Sequence, residues 1–344
     1  MKGCNLIKAT LLMLLLAIMS TSTSSMTAIE TSDPLYITVN PDQNIQEIIT
    51  SSPPYSKIVL NPGVYQQPIT IQKSISIAGK DPNLTFLNIK TNPNNAAITL
   101  QKKDTVLSNV TITNTAEGLY TTAIRINAPN CTIENCTVRD TPIGIAAWSS
   151  HTNILYNSFY NCSDEGLLLI STSISNSNYN HIRNCHFENN CDAIELQFSS
   201  YNVIEHCTIS QNTHSGIDAI CNSNDYNLIE NCTIENNTVH GIYFSSSKEN
   251  IISNCYFSNN GEDNVLFAHN SYKNSMKDNV EQSTETMANS QYSEVETKSN
   301  FTSSLSQEDS NFGNSNYTFL QRIQNLLRNF RNEYLKFRNN LGLF

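Results

Sequence analysis

Ile204-Glu205-His206-Cys207-Thr208-Ile209 returns as Ile229-Glu230-Asn231-Cys232-Thr233-Ile234, and again with Ser253, Asn254 and Cys255 in the same places before Tyr256-Phe257. Followed outward in both directions, the step falls at Cys136, Ser158, Cys185, Cys207, Cys232 and Cys255, 22 to 27 residues apart. Within each step apolar residues alternate at period two and end in Asn-rich turns. A recurrence of that length with strand alternation predicts stacked coils, because one coil cannot bury its apolar face alone. The expected fold is all-β, a right-handed parallel β-helix.

Alternation assigns the faces of one strand column. Ile124/Ile126, Ile145/Ala147, Leu167/Leu169, Ile194/Leu196, Ile217/Ala219, Ile242/Phe244 and Val265/Phe267 point inward. A second column holds Ile133, Leu155, Ile182, Ile204, Ile229 and Ile252. It turns at Asn135, Asn157, Asn184, His206, Asn231 and Asn254, where Asn suits left-handed backbone. The cysteines that follow read as an inward stack of free thiols packing as small hydrophobes. Rungs about 4.8 Å apart are slightly too far for a disulfide, and a soft-metal column would lack an entry path.

The chain has 344 residues and a formal net charge of −10. Residues 1–28 place Lys2 and Lys8 before the apolar run Leu11 to Met19 and then small residues, the order of a secretory signal cleaved between Ser20 and Ala28; an uncleaved anchor is the alternative. Without Lys2 and Lys8 the charge is −12, which disfavours nucleic acid as a partner. Residues 29–95 read as an N-terminal cap and first coils. Their expected strands are Tyr36 to Val39, Lys57 to Leu60 and Ile69 to Ile77, with a helix from Ile45 to Thr50 and a turn at Gly63-Val64-Tyr65. Regular coils occupy 96–279, and a polar linker 280–316.

Residues 317–344 carry Phe319, Leu320, Ile323, Leu326, Leu327, Phe330 and Tyr334 at helical spacing among Arg322, Arg328, Arg331, Lys336 and Arg338. Such a basic amphipathic helix is expected to dock on the chain's own acidic body, on a sister chain or on a membrane surface.

Tyr36-Ile37-Thr38-Val39, Asn44 to Ile49, Ile58-Val59-Leu60, Pro62-Gly63-Val64-Tyr65 and Ile69 to Gly79, followed by the coils to Asn279, resemble the right-handed parallel β-helix proteins of the pectate-lyase-like superfamily. The likeness is to its exported repeat proteins grouped with carbohydrate-binding proteins and sugar hydrolases. It extends to the periplasmic β-helix protein of nitrous-oxide-reductase maturation. The resemblance implies fold and a polysaccharide partner. The chain lacks the Asp-Pro-His-Glu run of alginate epimerases, the Gly-His-Gly and paired-Asp set of polygalacturonases, and the Gln-Asp and Gly-Arg-Pro-Trp runs of pectin methylesterases. None of those catalytic sets transfers.

Chemistry is expected on the outward, solvent side of the first strand column. There stand Arg125, Ala146, Leu168, Glu195, Asp218, Tyr243 and Leu266, flanked by Asn127, Trp148, Ile170, Gln197, Ile220, Ser245 and Ala268. Glu195 and Asp218 fall on adjacent rungs about 5 Å apart and are the candidate catalytic pair of a polysaccharide lyase or glycoside hydrolase. Arg125, Trp148, Gln197, Tyr243 and His240 are the candidate substrate contacts. Turn positions add Glu165, Asp192, His214 and His240, and Asp192, Glu195 and Asp218 are a possible Ca²⁺ site. Outward Leu168, Ile170, Ile220 and Leu266 form an apolar strip that something covers. The functions in play are binding, with or without cleavage, of a cell-surface or extracellular polysaccharide, and a non-catalytic envelope or adhesin-like module. Metal delivery is the third, though seven His and ten Cys form no ligand-spaced His set.

Overall fold

The computed structural model of the chain describes residues 34–282. Over that span the backbone winds as a right-handed parallel β-solenoid of about ten turns. Three parallel sheets run its length. An 11-stranded sheet runs from Tyr36–Val39 to Ser275–Lys277, a 10-stranded one from Gly63–Tyr65 to Val280–Gln282, and a 9-stranded one from Ile69–Ile71 to Asp263–Ala268. The last strand thus carries the solenoid past the expected boundary at 279. The expected leader over residues 1–28, the linker beyond Gln282 and the basic helix with its docking partner lie outside the described residues. Among the described residues no helix is long and apolar enough to cross a membrane.

Strands are short because each turn has three corners, and left-handed residues close many of them. Asn135, Asn184, His206, Asn231 and Asn254 all have φ between 49° and 54°, a conformation in which Asn costs least among residues with a side chain. Asn157 departs from the expected register. Its neighbour Tyr156 takes the left-handed corner (φ 57°), and Thr137 pairs with Ser158, so Asn157 and not Ser158 continues the thiol column. Its buried amide accepts from Cys136 N at 2.9 Å and donates to Ile133 O at 2.8 Å, where the thiol of Cys185 in the same column donates to the equivalent Ile154 O at 3.3 Å as a weaker donor.

The first inward column packs as alternation predicts, but in the second the residue opposite Ile133 and Ile182 is the buried Ile154 and not Leu155, which lies opposite Glu134 and Arg183. The inward residues from Ile124 to Phe244 are fully buried, while Val265 and Phe267 of the last turn are partly so. Cys136, Cys185, Cys207, Cys232 and Cys255 are buried free thiols, and burial pushes the Cys136 thiol up to about 12.

Two asparagine ladders, buried except at their last members Asn274 and Asn260, escaped the reading of Asn as corner residue alone. Asn180, Asn202, Asn227, Asn250 and Asn274 form one; Asn190, Asn212, Asn237 and Asn260 form the other. Each Oδ1 accepts the backbone N–H of the preceding rung, at 2.9 Å from Asn180 to Asn202 and 3.0 Å from Asn190 to Asn212. In this way amides buried at the corners, where the sheets break, find acceptors.

Near the start, Gly63–Tyr65 is a strand and not a turn. Tyr65 is buried with its hydroxyl 2.8 Å from Val39 O, which draws the segment onto the stack. The helix Ile45–Ser51 is capped by Asn44, whose side chain accepts from Gln46 N and Glu47 N, and it buries Ile45 and Ile49. The expected strand Ile69 to Ile77 divides into Ile69–Ile71 and Ser76–Gly79, which belong to different sheets.

Candidate functional site

The nine-stranded sheet and the turns at its strand ends position the candidate residues. Near the start of its strands stands a column of small residues, Ala123, Gly144, Gly166, Ala193, Gly216 and Gly241. A Cβ on Gly166 would lie 2.8 Å from Ala193 O and 3.0 Å from the inward Phe187 ring. Small residues here let two successive positions, such as Ala193 and Ile194, both face the core. The residue before the pair then lands on the outward side together with the residue after it. Glu165 and Asp192 therefore share a face with Glu195 and Asp218. They open the strands Glu165–Ile170 and Asp192–Gln197, where sequence reading had placed turns, and His240 likewise opens His240–Ser245.

Register along the outward column is as expected: Arg125, Ala146, Leu168, Glu195, Asp218, Tyr243 and Leu266 are successive partners. Exposure is not. Ala146, Leu168, Ile170, Glu195 and Asp218 are buried, together with Glu165, Asp192 and His240. Arg125, Trp148, Gln197, Ile220, Tyr243 and Leu266 are half-buried. The near-continuous apolar run Gly166 to Ile170 is the pattern of a parallel strand covered on both faces, and alternation alone reports orientation without exposure.

Four carboxylates gather on three rungs, and among the described residues no Lys or Arg pairs with any of them; the ion pairs formed there are those of His214. Glu165 and Glu195 lie within hydrogen-bonding reach of each other. Gln197 Nε2 donates to Glu195 Oε1. Burial first, and the charge of Glu195 second, push the Glu165 carboxyl well above the usual carboxylate range. Burial raises Glu195 to about 7 against the hydrogen bonds from Glu165 and Gln197 that lower it. Asp218 is raised too, by burial and then by Asp192 and Glu195. Glu165 Oε2 and Asp218 Oδ1 are buried without a hydrogen-bond donor. Raised pKa values at Glu165, Glu195 and Asp218 are what crowding of like charge in a buried site produces, since carboxyls this close do not all ionise together.

The residues offered for Ca²⁺ do not all converge. Asp192 and Asp218 do converge, but with His214 in place of Glu195, their donor atoms within 4.8 Å of one another. Glu195 turns instead to Glu165 and Gln197. An imidazole among the donors does not fit Ca²⁺, which takes oxygen ligands. His214 sits in the turn before Ser215, its Nδ1 2.8 Å from Asp192 Oδ1 and 3.7 Å from Asp218 Oδ2. The bond to Asp192 raises its pKa.

Arg125 and Trp148 are not brought to the carboxylates. Arg125 lies three rungs before Glu195, roughly 14 Å along the axis at strand spacing. Its Nη2 donates to Tyr120 O and Asn94 O at 3.2 and 3.3 Å, while the guanidinium lies 5.8 Å from the centre of the Trp148 ring. Two rungs past Glu195, Tyr243 stacks on His240 at 5.4 Å. His240 has its pKa lowered by burial, and its ring nitrogens lie 3.7 Å from Glu262 and Asp263.

Comparison with solved structures finds the same fold in three proteins that differ in size. They are ORF18 of Geobacillus virus E2 (16% identity, TM-score 0.54, 71% of this chain and 62% of that one), the bacteriophage CBA120 tailspike protein 2 enzymatically active domain (14%, 0.56, 71% and 43%) and alginate lyase from Paenibacillus sp. str. FPU-7 (12%, 0.57, 72% and 98%). The chain therefore spans less than two thirds of the first two. At these identities the likeness is one of fold. A search of the curated proteins found no match. The family model described as "Right handed beta helix region" matches residues 74–224 and 169–281, more than half of the chain, and the chain belongs to that family.

Proposed function

We propose that the chain is an exported protein that binds a cell-surface or extracellular polysaccharide on the outward face of its nine-stranded sheet and cleaves it with Glu195 as general acid. The observation that carries this reading is the buried Glu165 and Glu195 pair, with Asp218 on the next rung and no Lys or Arg pairing with it among the described residues. A carboxyl held near 7 keeps its proton close to neutrality, as a group that protonates a departing glycosidic oxygen must. Gln197 orients the carboxyl, and Glu165 shares the proton. Asp218, directly across the rung, is the second carboxylate, poised to take a proton or to stabilise positive charge on the sugar. Arg125, Trp148, Gln197, Tyr243 and His240 are the remaining glycan contacts along the face. The alginate lyase and tailspike among the fold neighbours support the substrate class.

The test is a panel of neutral and acidic polysaccharides scored for binding, for new reducing ends and for unsaturated uronate products. Cleavage by the wild type that Glu195→Gln abolishes supports the proposal. Binding without product in the wild type overturns the catalytic part and leaves the adhesin-like module. No binding to any glycan overturns the whole. Export rests on residues 1–28: protein recovered outside the cell should begin between Ser20 and Ala28.

A further inference from the structure

We infer that Asp192, His214 and Asp218 form a binding site for a divalent first-row transition ion, Zn²⁺ foremost, beside the Glu165 and Glu195 pair. Three features meet there. First, the donor separations suit a single ion: His214 Nδ1 is 2.8 Å from Asp192 Oδ1 and 3.7 Å from Asp218 Oδ2. Ligands held about 2.0–2.2 Å from one ion stand about 3.0–3.6 Å apart in octahedral or tetrahedral arrangement; both His214 separations lie within a few tenths of an ångström of that range, and all three donors lie within 4.8 Å of one another.

Second, Asp218 is underused. Its side chain is 7% exposed, and Oδ1 is buried with no hydrogen-bond partner. A buried carboxylate with one oxygen unpartnered and the other only 3.7 Å from His214 Nδ1 is costly, and a cation held by the group offsets that cost. Third, the anchors are rigid and the approach is open. Asp192 Oδ1 also accepts from Ser215 N at 2.8 Å, which fixes one ligand from the backbone. Asp192 and Asp218 stand on adjacent strands of the sheet, whereas the His214 side chain is 44% exposed and gives the ion a path in.

The donor chemistry selects the ion. One imidazole and two carboxylates favour Zn²⁺ or a neighbour of similar preference over Ca²⁺ or Mg²⁺. On binding, the ion takes the place of the Nδ1 proton, and a charged His214 ring releases one proton to solvent as it becomes a neutral ligand. Three protein donors leave at least one coordination position for water or a substrate oxygen, as open zinc sites do. The site does not depend on the polysaccharide reading, since it concerns affinity for an ion and not turnover.

Calorimetric titration of the chelator-stripped full-length protein with ZnCl₂ and with CaCl₂ tests it, alongside His214→Ala and Asp218→Asn checked for the wild-type β spectrum by circular dichroism. His214 lies in a turn with a partly exposed ring, so its variant folds even if Asp218→Asn does not. The expected result is about one Zn²⁺ per chain, bound more tightly than Ca²⁺, with affinity falling roughly tenfold or more in either variant. No Zn²⁺ binding by the wild type overturns the inference. So does Zn²⁺ binding that both variants retain, which would place the ion on the cysteines, or a preference for Ca²⁺.

Discussion

Glu195, the general acid of the proposed function, also couples its proton to stability. Its ordinary pKa of 4.5 rises to about 7 in the fold, so the folded state holds the proton more tightly than the unfolded chain. The associated stabilisation is complete below about pH 4.5 and is lost as pH climbs through about 7. Thermal melting between pH 5 and pH 8 with chelator present should show the wild type losing stability toward pH 8 relative to Glu195→Gln. Equal pH slopes for the two proteins would mean that Glu195 is not buried in its charged form. Glu165 and Asp218 shift in the same direction, so the variant keeps a smaller slope. Glu195 and Asp218 were legible in sequence as two carboxylates at the same place in successive repeats. Glu165 and Asp192 were expected in turns beside the face, Asp192 as a possible Ca²⁺ ligand, and not on the strands of the face itself. Their place on the face depends on the two-in step at Gly166 and Ala193, which strict period-two counting does not anticipate.

At the scale of the element, two devices hold the strands in register, the asparagine ladders and the small-residue column. Asn202 accepts from Asn180 N at 2.9 Å and donates to Ser199 Oγ and Asn227 Oδ1 at 2.9 Å each. Removing it strands buried donors and acceptors, and Asn202→Ala should cost about 3 kcal/mol in chemical denaturation; a loss below about 0.5 kcal/mol would mean that water or neighbours replace the ladder. On Gly144 a Cβ would meet Gly166 O at 2.3 Å and the Phe159 ring at 3.1 Å. Gly144→Ala should destabilise by about 1–3 kcal/mol without loss of the fold, since Ala123 and Ala193 stand elsewhere in the same column. An unchanged denaturation midpoint would contradict the close packing of that column. Corner asparagines were readable in the sequence because left-handed backbone selects them. The ladder asparagines were not singled out, because composition cannot say which of several neighbouring Asn points inward. The placing of Ser158 in the thiol column failed for a related reason: counting from cysteine to serine skipped Asn157, whose amide does what the backbone there requires.

Over the whole molecule the period of the repeat was enough to name the architecture. A solenoid is stabilised by nearest-neighbour turns, and every turn must repeat the same inward pattern to bury its core. The faces followed from alternation, but the covering of the outward face did not, since Leu168 and Ile170 read identically on an open sheet and on a covered one. The proposed function rests on the buried acid set at Glu165, Asp192, Glu195 and Asp218, which among the described residues is paired by His214 and by no Lys or Arg. The most direct test of that claim is the rate at which wild type and Glu195→Gln release products from the polysaccharide that the wild type binds best. The proposed function predicts glycan binding unchanged within about threefold and turnover reduced by about a hundredfold or more in the variant; turnover by Glu195→Gln at the wild-type rate would contradict it.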